Sequence, residues 1–329
     1  MSWVLGVDSG GSGLRVALAD AKDPQRVETV VSRTPVRTGP GGIDAGHLLE
    51  ELLPMARGLL ERAGTGKDAP AAMVIGAAGM ATLGAGLRAE LPGALRGALG
   101  VRRLGLAADA VTAYAGALGQ SPGAVVAAGT GMVALGTDLA VWHRADGWGH
   151  LLGDCGGGAW IGRAGLEAAL RAHDGRRGGS PALLARMESV FGPAARLPGL
   201  LYPRTDRPAM LASFAPEVAG CAGEDAVSAG ILARAAGHVA EAAAAVCPPP
   251  DEVPGGCEVA LTGGLLKLGE PLLAPLRAEL AAQLPYARPV SAAGDPLSGA
   301  LLLAAALASD GLRLPSHPTM LCVPAEPAD

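Results

Sequence analysis

Two glycine-rich turns and one dense block of glycine, tryptophan and carboxylate are the places where this 329-residue chain could do chemistry. The turns are Gly10-Gly11-Ser12-Gly13 and Gly129-Thr130-Gly131, and each lies between two short apolar runs of β pattern. A glycine turn exposes its amide N–H groups with no Cβ in the way, and Ser or Thr adds a hydroxyl donor, so both turns suit a phosphate. Together they could clamp a polyphosphate; taken singly, each is also an ordinary tight turn. The block runs from Gly147 to Gly162 and carries Trp148, Trp160 and Asp154. Its pattern fits neither a helix nor a strand and implies that something approaches the backbone closely. An indole that covers an apolar ring face, beside a carboxylate that accepts bonds from hydroxyls, is suited to a sugar.

Strand and helix patterns alternate around these features. Trp3–Asp8, Leu14–Ala19 and Val27–Ser32 read as a meander opening on a hairpin. Asp44 is a plausible N-cap for a helix whose Leu48, Leu52, Ala56, Leu59 and Leu60 recur at helical spacing. Met73–Ala78 reads as a buried strand and Leu87–Leu99 as a helix, and Gly105–Ala108 leads into Asp109 and a helical run. After Ser121-Pro122-Gly123 the chain begins again, with strands Ala124–Ala128 and Met132–Gly136 around the second glycine turn. This weak internal repeat predicts duplicated lobes, expected over 1–120 and 121–312, with helix 297–308 returning to the first lobe and a frayed tail over 313–329. Helices are expected over Gly165–Ala172 and Ala226–Val246, and a strand over Val259–Thr262.

Composition narrows the function classes. A net charge of −5 without a basic face gives no footprint for nucleic acid or an anionic membrane. Apolar runs such as Leu301–Leu307 fall short of the roughly 20 residues that cross a bilayer. Five cysteines, an odd number without a C-x-x-C pair, argue against a disulfide framework or a zinc ribbon and for a reducing, cytoplasmic setting. Half of the residues are apolar but only 3% are aromatic, and 50 are glycine, so the core is expected to form by close backbone approach. Two motifs mislead. Gly129 to Ala134 fits the dinucleotide fingerprint, but a strand follows where that motif needs a helix. Gly64-Thr65-Gly66-Lys67 imitates the end of a Walker A loop with Glu61 and Asp68 in the wrong places.

In order, Gly6-Val7-Asp8-x-Gly10-Gly11-Ser12, Ala108-Asp109-Ala110, Ala128-Gly129-Thr130-Gly131, the Gly147–Gly162 block and Leu261-Thr262-Gly263-Gly264 resemble the N-acetylglucosamine kinase branch of the actin, hexokinase and Hsp70 ATPase superfamily, related to the BadF/BcrA type. The resemblance implies an α/β, two-lobed actin-like ATPase (ribonuclease H-like) fold with ATP in the interlobe cleft. It implies ATP-dependent phosphorylation of a sugar hydroxyl, with N-acetylglucosamine as acceptor and the 6-phosphate as product. ATP would be bound by Asp8, Gly10, Gly11, Ser12, Gly129, Thr130, Gly131, Gly263 and Gly264, with Asp8 holding Mg²⁺ through water. Asp109 would be the catalytic carboxylate, although a helix N-cap is an alternative use for it. The sugar pocket would comprise Ala78, Gly79, Asp109, Gly147, Trp148, Gly149 and Asp154. The partner implied is a small-molecule sugar, and a homodimer is left open.

The chain departs from that pattern at Cys155 and Gly157, where the family usually has Glu and Ser, and at Met132 and Val133 after the second turn. Two other readings follow. One is an ATPase that activates a partner enzyme through a cysteine-bound cluster, which the cysteine spacing does not support. The other is a sugar sensor derived from a kinase, against which stand Asp8, Asp109 and Thr130.

Overall fold

The computed structural model describes residues 2–10, 13–39, 41–65, 69–253 and 256–324, and the structural statements below concern those residues. The chain divides into two compact units, one made of Met1–Pro122, Thr137–Trp142 and Ser291–Asp329, the other of Gly123–Gly136 and His143–Val290.

The first unit is built on a six-stranded sheet in the order Leu321–Cys322, Arg103–Ala108, Ala72–Ala77, Trp3–Gly10, Gly13–Asp20, Asp23–Ser32. Strands Trp3–Gly10, Ala72–Ala77 and Arg103–Ala108 run parallel, while Trp3–Gly10 pairs antiparallel with Gly13–Asp20 as the hairpin pattern predicts. A parallel strand is covered on both faces, which is why all six residues of Ala72–Ala77 are apolar or glycine and buried. Asp44 caps the helix Ala45–Arg62, its Oδ1 accepting the His47 N–H at 2.8 Å. That helix turns Leu48, Leu52, Ala56 and Leu59 inward.

Two further helices, Asp109–Leu118 and Pro296–Ala308, cross at backbone distance in this unit. A Cβ on Gly299 would lie 2.0 Å from the Thr112 carbonyl oxygen, and one on Gly116 would lie 2.1 Å from the Asp295 carbonyl oxygen. Gly76 in turn lies under the Thr112 side chain. With few aromatic side chains available, glycine lets whole backbones serve as packing surface.

The sequence reading of 313–329 as a frayed tail needs correction for its first part. Leu321 pairs with Ala107 and Cys322 with Leu106, adding a strand at the sheet edge, and Ala108 N–H donates to the Met320 carbonyl at 2.8 Å. The approach is pinned by side chains: Trp142 Nε1 donates to the Pro315 carbonyl at 2.7 Å, and Gln120 Oε1 accepts the Arg313 N–H at 2.6 Å. The signal was weak because prolines dominate the segment and the strand is only two residues long.

The second unit is built on a five-stranded sheet in the order Trp142–Asp146, Met132–Thr137, Gly123–Ala128, Cys257–Thr262, Ala287–Ser291. Gly123–Ala128 and Cys257–Thr262 are parallel and bring Ala127 beside Thr262. Helix Ala226–Val246, with the bounds read from the sequence, packs on Gly123–Ala128 and on helices Gly158–His173 and Glu270–Gln283. Close approach recurs here, because a Cβ on Gly162 would collide with the Leu211 carbonyl oxygen. Cys247, capping the long helix, and Cys257, opening the next strand, form a disulfide. This single bridge is not a framework, and the cysteine count did not foresee it because spacing does not register a chain reversal that brings two thiols together.

Candidate active site

In the first unit the parallel register gathers the expected residues at one end of the sheet. Asp8 lies beside Gly76 and Gly76 beside Ala107, while Ser9, Ala77 and Ala108 form the next row. Gly10, Ala78-Gly79 and Asp109 therefore sit at or just beyond the carboxyl ends of three neighbouring strands, where open parallel sheets place ligands. The two outer strands of the three are about 10 Å apart, at two strand spacings. Ala78 N–H donates to the Ser9 carbonyl at 2.9 Å, and Gly79 turns the chain with φ 73°.

Asp109 is exposed and is the first residue of its helix. The N-cap is Ala108, so the alternative use of Asp109 as a cap does not hold. Its Oδ1 accepts the Ala110 N–H at 2.9 Å. The carboxylate stands where a buried strand hands over to a buried helix, so its backbone is fixed from both sides.

Asp8 is partly buried, and its Oδ2 accepts from Arg15 Nε at 2.9 Å and from an Arg15 terminal nitrogen at 2.7 Å. Arg15 reaches on to Asp295, the N-cap of Pro296–Ala308, at 2.5 Å. Burial alone would weaken the guanidinium's charge; the two carboxylates outweigh it and raise its pKa. Sequence reading missed Arg15, yet the hairpin register makes Asp8 and Arg15 direct cross-strand partners, and opposite charges facing each other were a usable signal. Gly10 pairs with Gly13 at the end of that hairpin, and the remaining expected phosphate contacts, Gly11 and Ser12, lie outside the described residues.

In the second unit the Gly129–Gly131 turn closes on itself, Gly129 N–H donating to the Gly131 carbonyl at 2.9 Å, and Thr130 is exposed. The first amides of helix Gly158–His173 brace it: Gly158 N–H donates to the Gly129 carbonyl and Ala159 N–H to the Thr130 carbonyl, both at 2.8 Å. Gly263, at φ 108°, turns the neighbouring strand away so tightly that a Cβ would lie 2.1 Å from the Ala128 carbonyl oxygen; Gly264 follows it. The two turns assigned separately to nucleotide thus lie side by side.

The Gly147–Gly162 block divides in two. Its second part, from Gly158, is helical, which corrects the expectation that no regular element accounts for the stretch. Its first part is a loop whose ends are joined by Asp146: Oδ1 accepts the Asp154 N–H at 2.6 Å, and Oδ2 accepts the Cys155 N–H at 2.9 Å. Arg144 donates to the carbonyls of Asp146 and Gly147 and stacks 5.0 Å over the Trp148 ring, while Trp148 remains 65% exposed. Asp154 accepts the Gly149 N–H at 3.0 Å, and its Oδ2 would lie 2.3 Å from a Cβ on Gly131. The block and the second glycine turn, read from sequence as different halves of a site, are therefore in contact.

Burial pushes the Asp154 carboxyl pKa up; the Gly149 N–H opposes this and the Asp146 charge adds to it. Burial and the charges of Asp146 and Asp154 also raise the Cys155 thiol and outweigh the opposing charge of Arg163, so the thiol stays protonated and is a poor nucleophile.

The sequence profile of the BadF/BadG/BcrA/BcrD ATPase family matches residues 5–304. The chain belongs to that family. Among its relatives, an N-acetylmuramic acid/N-acetylglucosamine kinase of Clostridium acetobutylicum is 28% identical over 183 residues, 54% of this chain and 56% of that protein, so the match takes in about half of the relative's length. A solved structure provisionally named N-acetylglucosamine kinase, from Chromobacterium violaceum, is 28% identical with a TM-score of 0.65, covering 92% of this chain and 98% of that one. A glucokinase of the ROK family from Streptomyces griseus, in complex with glucose and AMPPNP, has 20% identity and a TM-score of 0.53 over 94% of this chain and all of that one. The fold of this BadF/BadG/BcrA/BcrD family chain is accordingly the α/β, two-lobed fold of the actin-like ATPases. Among the described residues no helix is long and apolar enough to cross a membrane.

Proposed function

We propose that the chain is an ATP-dependent kinase of an amino sugar, transferring the γ-phosphoryl group of ATP to the 6-hydroxyl of N-acetylglucosamine in the cytoplasm. The observation that carries this reading is Asp109, an exposed carboxylate fixed two strand spacings from the Asp8 strand, at the sheet end where ligands bind. Phosphoryl transfer asks a protein for little beyond position and charge, with a carboxylate to orient the attacking hydroxyl and accept its proton. Asp109 does this. Thr130 and the amides of both glycine turns hold phosphates, Gly263 and Gly264 face the adenosine, and Trp148 with Asp154 meets the sugar ring. The names of the two kinase relatives support the choice of acceptor.

The donor set suits Mg²⁺, since Asp8 offers hard carboxylate oxygen at the mouth of a phosphate turn. When bound, the ion neutralises charge on the phosphates. Arg15 orients Asp8 by holding one of its oxygens. The partner-activating ATPase reading loses ground here, because the Cys247–Cys257 disulfide takes up two of the cysteines a cluster would need.

A coupled ADP-release screen over N-acetylglucosamine, glucosamine, N-acetylmannosamine, glucose and no sugar tests the proposal. Release is expected to depend on an amino sugar. Equal release without sugar would favour a plain ATPase, and none with any sugar would favour a sensor. Asp154→Ala is expected to weaken sugar binding by about 1.5–3 kcal/mol, the range for a hydrogen bond to a charged group, with ATP binding nearly unchanged in calorimetry. Because Asp154 also touches Gly131, the opposite pattern would move this carboxylate to the nucleotide side.

A further inference from the structure

We infer that Asp146 is a positioning residue for the acceptor, a carboxylate clasp that holds Trp148 and Asp154 where one sugar ring can meet both. The inference rests on the reading of Trp148 and Asp154 as sugar contacts. Asp146 touches no expected ligand itself; it acts through the backbone of the loop it closes.

Several independent features converge on it. Its two oxygens take N–H groups from residues eight and nine positions along the chain, and Oδ1 is also 3.4 Å from the Trp148 N–H. Asp146 and Asp154 both adopt left-handed backbone, at φ 58° and 54°, a conformation that aspartate visits more readily than most residues. Gly153 is required by the clasp, because a Cβ there would lie 2.3 Å from Asp146 Oδ1 and 3.0 Å from Trp148 Cβ. Arg144 secures the other side through the Gly147 carbonyl and the indole face. The loop tip stays exposed at Trp148, Leu151 and Leu152, so the clasp rather than burial fixes its course. A glycine-rich loop without such a grip would have many conformations to choose from, and ligand contacts on it would be ordered only at the moment of binding.

Asp146→Asn is the informative change. Asparagine fills the same volume and tolerates the same backbone. It has one acceptor oxygen and an NH₂ group, so one of the two loop amides would face a donor. In the full-length protein, assayed with N-acetylglucosamine and ATP, the KM for sugar is expected to rise about ten-fold, on the scale of one lost bond to a charged group. The KM for ATP should change less than about two-fold. The melting temperature should stay within about 2 °C of wild type. In an Asp154→Ala background the same change should cost clearly less, because a residue acting through another is non-additive with it.

Amide hydrogen exchange at Asp154 and Cys155 in the sugar-free protein supplies a readout independent of the kinase reading, and it should accelerate in Asp146→Asn. Unchanged exchange, an unchanged sugar KM, or an equal cost in both backgrounds overturns the inference. A general loss of thermal stability with both KM values raised together also overturns it, by making Asp146 merely structural. A wild-type protein that turns over no sugar would sink the kinase reading instead, and the exchange data would then judge the clasp alone.

Discussion

Asp109→Asn is expected to lower turnover by about 10²–10⁴-fold, the usual scale for a general acid–base group, with ATP affinity close to wild type. The substitution is close to isosteric, and an asparagine Oδ1 can still accept the Ala110 N–H that the aspartate accepts at 2.9 Å. The start of the helix is thereby preserved. What disappears is the negative charge that, on the proposed reading, orients the acceptor hydroxyl and takes its proton late in transfer. No phosphate contact is assigned to this residue, so calorimetric titration with ATP should barely move. Turnover near wild type would remove Asp109 from the mechanism and return it to the role of a polar residue at a helix start.

The second large effect lies away from any ligand. Gly299→Ala should lower the melting temperature by on the order of 2–5 °C, because over-packing costs typically 1–3 kcal/mol, each worth roughly 1.5 °C in a chain of this size. The added methyl would lie 2.0 Å from the Thr112 carbonyl oxygen and 2.4 Å from the Gly116 nitrogen, and neither is a side chain that can swing aside. The two helices must separate, and one of them begins at Asp109. Turnover should therefore fall along with stability. Gly97→Ala is the matched control: that glycine sits in helix Ala85–Leu99 with nothing within 4 Å of an added Cβ. There the gain in helix propensity, up to about 1 kcal/mol, should leave the protein slightly more stable. Scanning calorimetry on the two variants decides the point, and equal melting temperatures would mean that the crossing is looser than described.

Local pattern carried most of the strands and helices because apolar spacing reports directly on which face is buried. Helix Ala226–Val246 and the Asp44 cap follow from such spacing and from one capping side chain. Positions where glycines, rather than side chains, make the contact were harder to read. The helical start at Gly158 looks irregular in sequence because its glycines answer to the Gly129 and Leu211 carbonyls, neighbours far away in the chain. The site was legible as a set of turns and carboxylates but not as contacts. Sequence order separates Asp154 from Gly131 by two strands and a loop, and only the fold shows the carboxylate against the turn. Asp146 carries no motif at all, because its role is defined by two amides that a linear reading does not bring together.

The strap at the end of the chain bears on where a shortened version of this protein should stop. The family profile ends at residue 304, whereas the strand at Leu321–Cys322 covers the outer edge of Arg103–Ala108. Cutting at the family boundary would bare the N–H and carbonyl groups of a strand whose Leu104, Leu106 and Ala107 are apolar and buried. An open edge of that composition is a template for pairing between molecules, and this one ends a single residue before Asp109. A boundary drawn from homology alone would thus remove 305–322, the last turn of helix Pro296–Ala308 together with the strap beyond it, and leave an aggregation-prone seam beside the proposed catalytic carboxylate.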